Sequence, residues 1–440
     1  MKNSNILRGY IIATACFLSL FATAQTKPMN GALKEKMDKL ADAEETKVIA
    51  WRRDFHQNPE LSNREFRTSK IIAEHLKSLG FEVKLMAKTG VVGILKGGKP
   101  GPVVALRADI DGLPVTERVD VPFASKVKTT FNDMETGVMH ACGHDSHTAI
   151  LMGTAEVMSK VKADLPGTIV FLFQPAEEGA PKGEEGGAGL MIKEGCLDNP
   201  KVETIFGLHI NSLTEAGKIR YRPGGTMASS DGLNITVKGK QTHGANPWTG
   251  VDPIVTAAQI IIGLQTVVSR MTPINESAAV VTIGTIHAGI RSNIIPEEAK
   301  MTGTIRCLDK KIQLQIHENI RRVATNIAES AGATAEVVID LSNPVTYNNP
   351  ELTKKMVPTL EETAGEANVQ ITVPATGAED FAKYQEKIPG FFFFLGGMPK
   401  GKATSEAAPH HTPDFYLDES GFTLGVKTFC HLILDYAAKK

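Results

Sequence analysis

Continuous apolar runs at residues 103–106, 168–173, 204–208 and 391–395 interrupt an otherwise mixed sequence. Runs this short, apolar at nearly every position, have the pattern of strands buried on both faces, and helical spacing between them predicts a largely parallel sheet clothed by helices. Upstream, Leu33, Met37 and Leu40, then Ile71, Ile72, Leu76 and Leu79, recur at helical spacing, and Gly80 closes the second run. These predict helices over residues 31–80 that cover one face of the sheet. The middle of the chain changes character. Leu233, Ile235 and Val237 alternate with polar residues, which predicts a strand with one wet face. Asp252-Pro253 opens a helix carrying Ile254, Ala258, Ile261, Leu264, Gln265 and Val268; a strand follows at 280–286 and a helix at 312–331. The chain therefore reads as α/β with two domains. The catalytic body, with a mainly parallel sheet, occupies 25–227 and 341–440, and an inserted α+β domain occupies 228–340, with an exposed strand suited to pairing with a second copy.

The 440 residues, 42% hydrophobic and 22% charged, suffice for a packed interior and more than one domain. A net charge of -1 argues against an electrostatic grip on nucleic acid or an anionic membrane, which leaves a small molecule as the expected partner. Lys2 and Arg8 precede an apolar run through Ile11, Phe17, Leu20 and Phe21 that ends in Ala22-Thr23-Ala24. That layout predicts a signal peptide over 1–24, cleaved after Ala24, and export to a periplasm or the exterior. No other stretch is expected to cross a bilayer. Of five cysteines, Cys142, Cys196, Cys307 and Cys430 follow the leader and are scattered singly, which is not the spacing of a disulfide framework.

Chemistry concentrates in four segments. Met139-His140-Ala141-Cys142-Gly143-His144-Asp145-Ser146-His147 sets a thiol and an imidazole two residues apart on a glycine-containing loop, from which they can reach one metal or two adjacent ones. A buried cysteine beside a core histidine is the plain alternative. Gln174-Pro175-Ala176-Glu177-Glu178-Gly179 follows a predicted strand; adjacent carboxylates there repel unless they share a cation or a proton, although a solvated acidic turn has the same composition. Gly207-Leu208-His209 ends another strand, and His410-His411-Thr412-Pro413 lies near the C-terminus. Together these offer Cys, Glu and His donors, a set that suits zinc or manganese better than calcium or magnesium.

With Arg107-Ala108-Asp109-Ile110-Asp111-Gly112-Leu113-Pro114 and Gly377-Ala378-Glu379-Asp380-Phe381, these segments make the chain resemble the N-acyl-amino-acid amidohydrolases, which include hippurate and auxin-conjugate hydrolases, within the metal-dependent aminoacylase and carboxypeptidase clan. The resemblance covers essentially everything after the leader. It implies two divalent ions, zinc or manganese, bridged by Cys142, with Glu178 and His411 completing one site and His144 and His209 the other. Glu177 is then the general base, while Asp111 either orients the site or is structural. His243, in Gly239-Lys240-Gln241-Thr242-His243-Gly244-Ala245, is implied to cross a homodimer interface and stabilise an oxyanion. Asn293 and Arg306 resemble contacts to the substrate carboxylate. The implied substrate is an N-acyl amino acid, with a small peptide next. A metallo-carboxypeptidase, a non-catalytic binding module and a Cys142-nucleophile hydrolase are the alternatives the sequence leaves.

Overall fold

The four apolar runs lie side by side in one sheet. The computed structural model describes residues 29–439; the leader predicted at 1–24 lies outside the described residues. Strands Pro166–Gln174, Lys99–Asp109, Thr204–Glu215 and Gly390–Met398 are neighbours in that order, all parallel. The antiparallel pair Glu82–Met86 and Gly90–Lys96 extends one edge, and Ile219–Tyr221 with Val369–Ile371 extends the other, giving eight strands. Alternate residues of the central strands face two different cores. Leu106, Phe171, Phe206 and Phe393 pack under helices Met29–Gln57, His144–Lys160 and Phe422–Ala438. Ala105, Leu172, Ile205 and Phe392 pack on the other side with Met191, Phe381 and Tyr384. Burial on both faces is why these strands lack the polar alternation of a wet sheet. Asp109 pairs with Gln174 and His209 with Phe394, so the chemistry-bearing residues gather at the carboxyl ends of parallel strands, where such sheets bind ligands.

A second sheet of four antiparallel strands runs Ala279–Ala288, Glu298–Cys307, Ser230–Lys238, Thr334–Asn343. Leu233, Ile235 and Val237 are buried against Ile260, Leu264, Ile316 and Ile320 of helices Pro253–Met271 and Lys310–Ser330, a core separate from those of the larger sheet. Sequence reading missed Glu298–Cys307 and Thr334–Asn343, whose charged residues occupy the wet side. It also rotated the first helix. Asp252 caps it by accepting from Ile254 N and Val255 N, but the buried stripe is Thr256, Ala257, Ile260, Leu264 and Val267, whereas Ile254, Val255 and Ile262 face outward. A helix apolar on most sides carries no periodic signal to choose between faces. That same helix, 19 residues with an 18-residue window of mean hydropathy 1.4, is the one described helix that by length and composition alone could cross a membrane; its inner face is packed on the sheet.

Candidate metal centre

Four chain segments converge at the carboxyl edge of the large sheet. Gly143 precedes helix His144–Lys160 with φ +93°, and a Cβ there would sit 2.3 Å from Ile210 Cγ2. Only glycine fits, so the loop turns sharply enough to set Cys142 and His144 side by side. The Glu177-Glu178 turn hangs on Ala176, whose φ of +52° is unusual for a residue with a Cβ. Its amide is held by the buried Glu65, whose Oε1 accepts from Ala176 N at 2.9 Å while its Oε2 accepts from Thr89 Oγ1 at 2.5 Å. His411 also has a positive φ, +61°, and its amide donates to Ala141 O at 2.8 Å, which ties the C-terminal segment to the Cys142 loop.

Hydrogen bonding identifies which nitrogens are free to bind a cation. His144 Nδ1 donates to the backbone and side chain of Asp111, at 3.0 and 3.1 Å. Its Nε2 is fully buried and without a hydrogen-bond partner; burial works against charge on this ring, but Asp109 and Cys142 outweigh it and draw positive charge there. His209 Nδ1 donates to Ile210 O at 2.6 Å, which leaves Nε2 facing Cys142 Sγ at 3.4 Å. His411 Nε2 lies 3.3 Å from Cys142 Sγ and 3.0 Å from Glu178 Oε1, yet that oxygen forms no hydrogen bond. Two nearby histidines are already spent. His147 Nδ1 donates to Asp109 Oδ1 at 2.5 Å and its Nε2 accepts from Ile210 N at 2.8 Å. His410 Nε2 accepts from Ser212 N at 3.2 Å, so its Nδ1 donates to Cys142 O at 3.2 Å. Of the paired histidines near the C-terminus, the geometry therefore leaves His411 available.

The residues fit a divalent cation. One thiol hydrogen cannot serve two imidazoles, and neither the buried His144 Nε2 nor Glu178 Oε1, 3.0 Å from His411 Nε2, has a hydrogen-bond partner. Burial, then Glu178, holds the Cys142 thiol well above its ordinary range; a thiolate here needs positive charge beside it, which weighs against a free cysteine nucleophile. Burial, then neighbouring imidazoles, keeps His209 neutral, the form that ligates metal. Glu177 is pushed well above the carboxylate range, first by burial and then by Glu379, Glu178 and Asp380, as suits a group that holds and releases a proton. Its Oε1 accepts from Asp380 N at 3.3 Å, and its Oε2 lies 4.0 Å from His144 Nε2.

Behind these groups Arg107, fully buried, donates to Gln174, Asp109, Glu379 and Asp380 at 2.6 to 2.9 Å. Arg107 and the three acids are visible in the sequence, but Asp109 ends a strand whereas Glu379 and Asp380 sit in the turn before helix Ala382–Gln385, and no local pattern joins them. A cleft of about 1010 Å³ opens over Cys142, Glu177, Glu178, His209 and His411, and Arg306 lines it. Asn293 does not line it, nor does His243, which sits exposed on the short strand Thr242–His243 with its Nδ1 accepting from Ala245 N at 3.0 Å.

The sequence pattern of peptidase family M20/M25/M40 matches residues 105–435. Thermostable carboxypeptidase 2 of Saccharolobus solfataricus is 40% identical over 411 residues, 92% of this chain and 100% of the relative. N-acetylcysteine deacetylase of Bacillus subtilis is 41% identical over 395 residues, 88% of this chain and 96% of the relative. A solved Bacillus subtilis structure, described as a dinuclear metal-binding peptidase of the M20 family, is 38% identical with a TM-score of 0.76, over 91% of this chain and 99% of that one. The relatives correct one expectation. Export was inferred from the leader alone, and the match to N-acetylcysteine deacetylase over 96% of that relative's length counts against it. A short apolar run behind two cations is a pattern of low specificity, and this one lies outside the described residues.

Proposed function

We propose, for a chain that belongs to peptidase family M20/M25/M40 and is a metal-dependent amidohydrolase, that it hydrolyses the amide bond of N-acyl amino acids, releasing a carboxylic acid and a free amino acid. The carrying observation is the convergence of Cys142, His144, Glu178, His209 and His411, with buried ligand atoms lacking hydrogen-bond partners, beside the Glu177 carboxyl. Two divalent ions, zinc or manganese, would be held by Cys142, Glu178 and His411 on one side and by Cys142, His144 and His209 on the other; when bound they supply a more acidic water and a polarised carbonyl.

The protein's own groups do the rest. Glu177 takes a proton from the attacking water and passes it to the leaving amine. Asp380 N orients that carboxylate, and the buried Arg107 fixes Asp380 in turn. Arg306 on the cleft wall meets the free carboxylate beside the scissile amide. The partner subunit's His243 supplies the oxyanion donor. Pairing through the inserted domain is supported by Ile254, Val255 and Ile262, apolar side chains that it leaves exposed. Small-peptide hydrolysis is the second reading, favoured by the carboxypeptidase at 40% identity.

The test is amide release from N-acetyl, N-benzoyl and aminoacyl amino acids before and after chelation, with zinc, manganese or cobalt restored. The acylated set should be cleaved fastest, and only with metal. Cleavage that survives complete chelation contradicts the proposal.

A further inference from the structure

The cleft is acidic, and two cations break that pattern. Its walls carry Glu177, Glu178, Glu184, Glu379 and Asp380, but their only lysine or arginine side chains are Arg306 and Lys383. Both are half-buried, and neither forms an ion pair among the described residues. They also approach from different bodies, Arg306 from the small sheet and Lys383 from helix Ala382–Gln385 beside the large one. Lys383 lies against the helix Gly187–Lys193: a Cβ built on Gly189 would stand in ordinary contact, 3.7 Å, with both its Cδ and its Nζ.

Lys383 is also part of a partition. With Ser342 and Asn343 it lines a second cavity of about 560 Å³ on the far side, between the two bodies. That cavity has aliphatic walls, Ile192, Leu314, Leu341 and Pro344, and three more lysines, of which Lys193 pairs with Glu185 at 2.7 Å and Lys387 forms no ion pair among the described residues. Its two acids are engaged: Glu386 pairs with Lys310 at 2.6 Å, and Asp231 accepts from Gln313 and His317, each at 2.8 Å. A cleft with one cation for a carboxylate, and beyond its shared wall a cavity that places Lys387 behind Lys383, matches a substrate with two anionic ends.

We propose that Lys383, backed by Lys387 of the side cavity, is a second anion subsite, and that the preferred substrates are dianionic: acylated amino acids whose acyl chain or amino-acid side chain ends in a second carboxylate. The inference rests on the amidohydrolase reading and deepens it. Arg306 takes the carboxylate beside the scissile amide, and Lys383 takes the distal one by a charge-assisted hydrogen bond.

The experiment uses the full chain with metal restored and two matched pairs, N-succinyl-alanine against N-butanoyl-alanine and N-acetyl-glutamate against N-acetyl-glutamine. The first pair places the second charge on the acyl group, the second on the side chain. In the wild type kcat/KM should favour the anionic member of at least one pair by about ten-fold or more, and in Lys383→Met that ratio should fall to near unity with the change carried by KM. A wild-type ratio near unity in both pairs, or a ratio that survives Lys383→Met, overturns the subsite. Should no acyl amino acid of either kind be cleaved, the amidohydrolase reading fails separately, and calorimetric titration with glutarate decides the subsite. Binding at least ten-fold weaker in Lys383→Met supports it; equal affinities, or no binding to the wild type, overturn it.

Discussion

Glu65 makes no contact with a candidate ligand side chain, yet its removal should cost most of the activity. Its carboxylate is fully buried and receives the amide of Ala176, a residue with φ +52° that directs Glu177 and Glu178 different ways. A left-handed conformation costs a residue with a Cβ about 1–2 kcal/mol, and a buried amide left without an acceptor costs about 1–3 kcal/mol. In Glu65→Ala the turn loses the bond that holds it while keeping its strain, so the arrangement found here is disfavoured by roughly 1–3 kcal/mol against a relaxed one. At about 1.4 kcal/mol per decade, the productive fraction falls about 5- to 150-fold. Glu65→Gln keeps an acceptor for the amide and should recover most of the loss. The assay is kcat and KM on the best acyl amino acid, with metal content and a thermal melt on the same samples. The expected outcome is a fall in kcat with KM little changed. A Glu65→Ala protein that folds, holds its metal and turns over within two-fold of wild type refutes the reasoning, as does Glu65→Gln falling as far as Glu65→Ala.

Glu177→Gln should retain metal and lose about 10²–10⁴ in kcat, measured by steady-state rates beside elemental analysis; near-normal turnover removes Glu177 as the proton carrier. Mixing those subunits with inactive His243→Ala subunits should restore part of the activity if sites are shared, whereas verified mixed dimers with none count against the shared site. Stability should depend on pH through His56, which lies 2.7 Å from Asp145 and 3.1 Å from Glu117. Burial and Arg52 pull its pKa down, but hydrogen bonds to Asp145 and Glu117 outweigh them and the net shift is upward. A raised histidine contributes stability that is complete below its unfolded value, about 6.5, and is lost as pH rises through the folded one. Denaturant midpoints should therefore fall above pH 6.5 in the wild type and change less in His56→Gln; equal slopes would contradict the assignment.

What the sequence made legible follows from how local each signal is. The buried strands were readable because burial on both faces leaves no polar alternation, and the donors because Cys142 and His144, or Glu177 and Glu178, sit within two residues of each other. The inserted domain was visible in the alternation of Leu233, Ile235 and Val237, but its apolar helix, Pro253–Met271, could not reveal which side turns inward. What supports the donors is non-local. Glu65 meets Ala176 across 111 residues, and Arg107 meets Glu379 across 272; no spacing rule links them, and only the fold brings them together. The choice between His410 and His411 has the same origin. Adjacent and chemically identical, they differ because Ser212 N and Cys142 O occupy both nitrogens of the first and leave Nε2 of the second facing Cys142 and Glu178. Lys383 lies further still from any motif. It is an ordinary lysine on a short helix, and it acquires meaning only because it lines both the cleft and the cavity behind it. Motifs of adjacent residues thus specify the chemistry of a site such as this one, whereas its precision and its choice of substrate reside in contacts that one-dimensional reading does not reach.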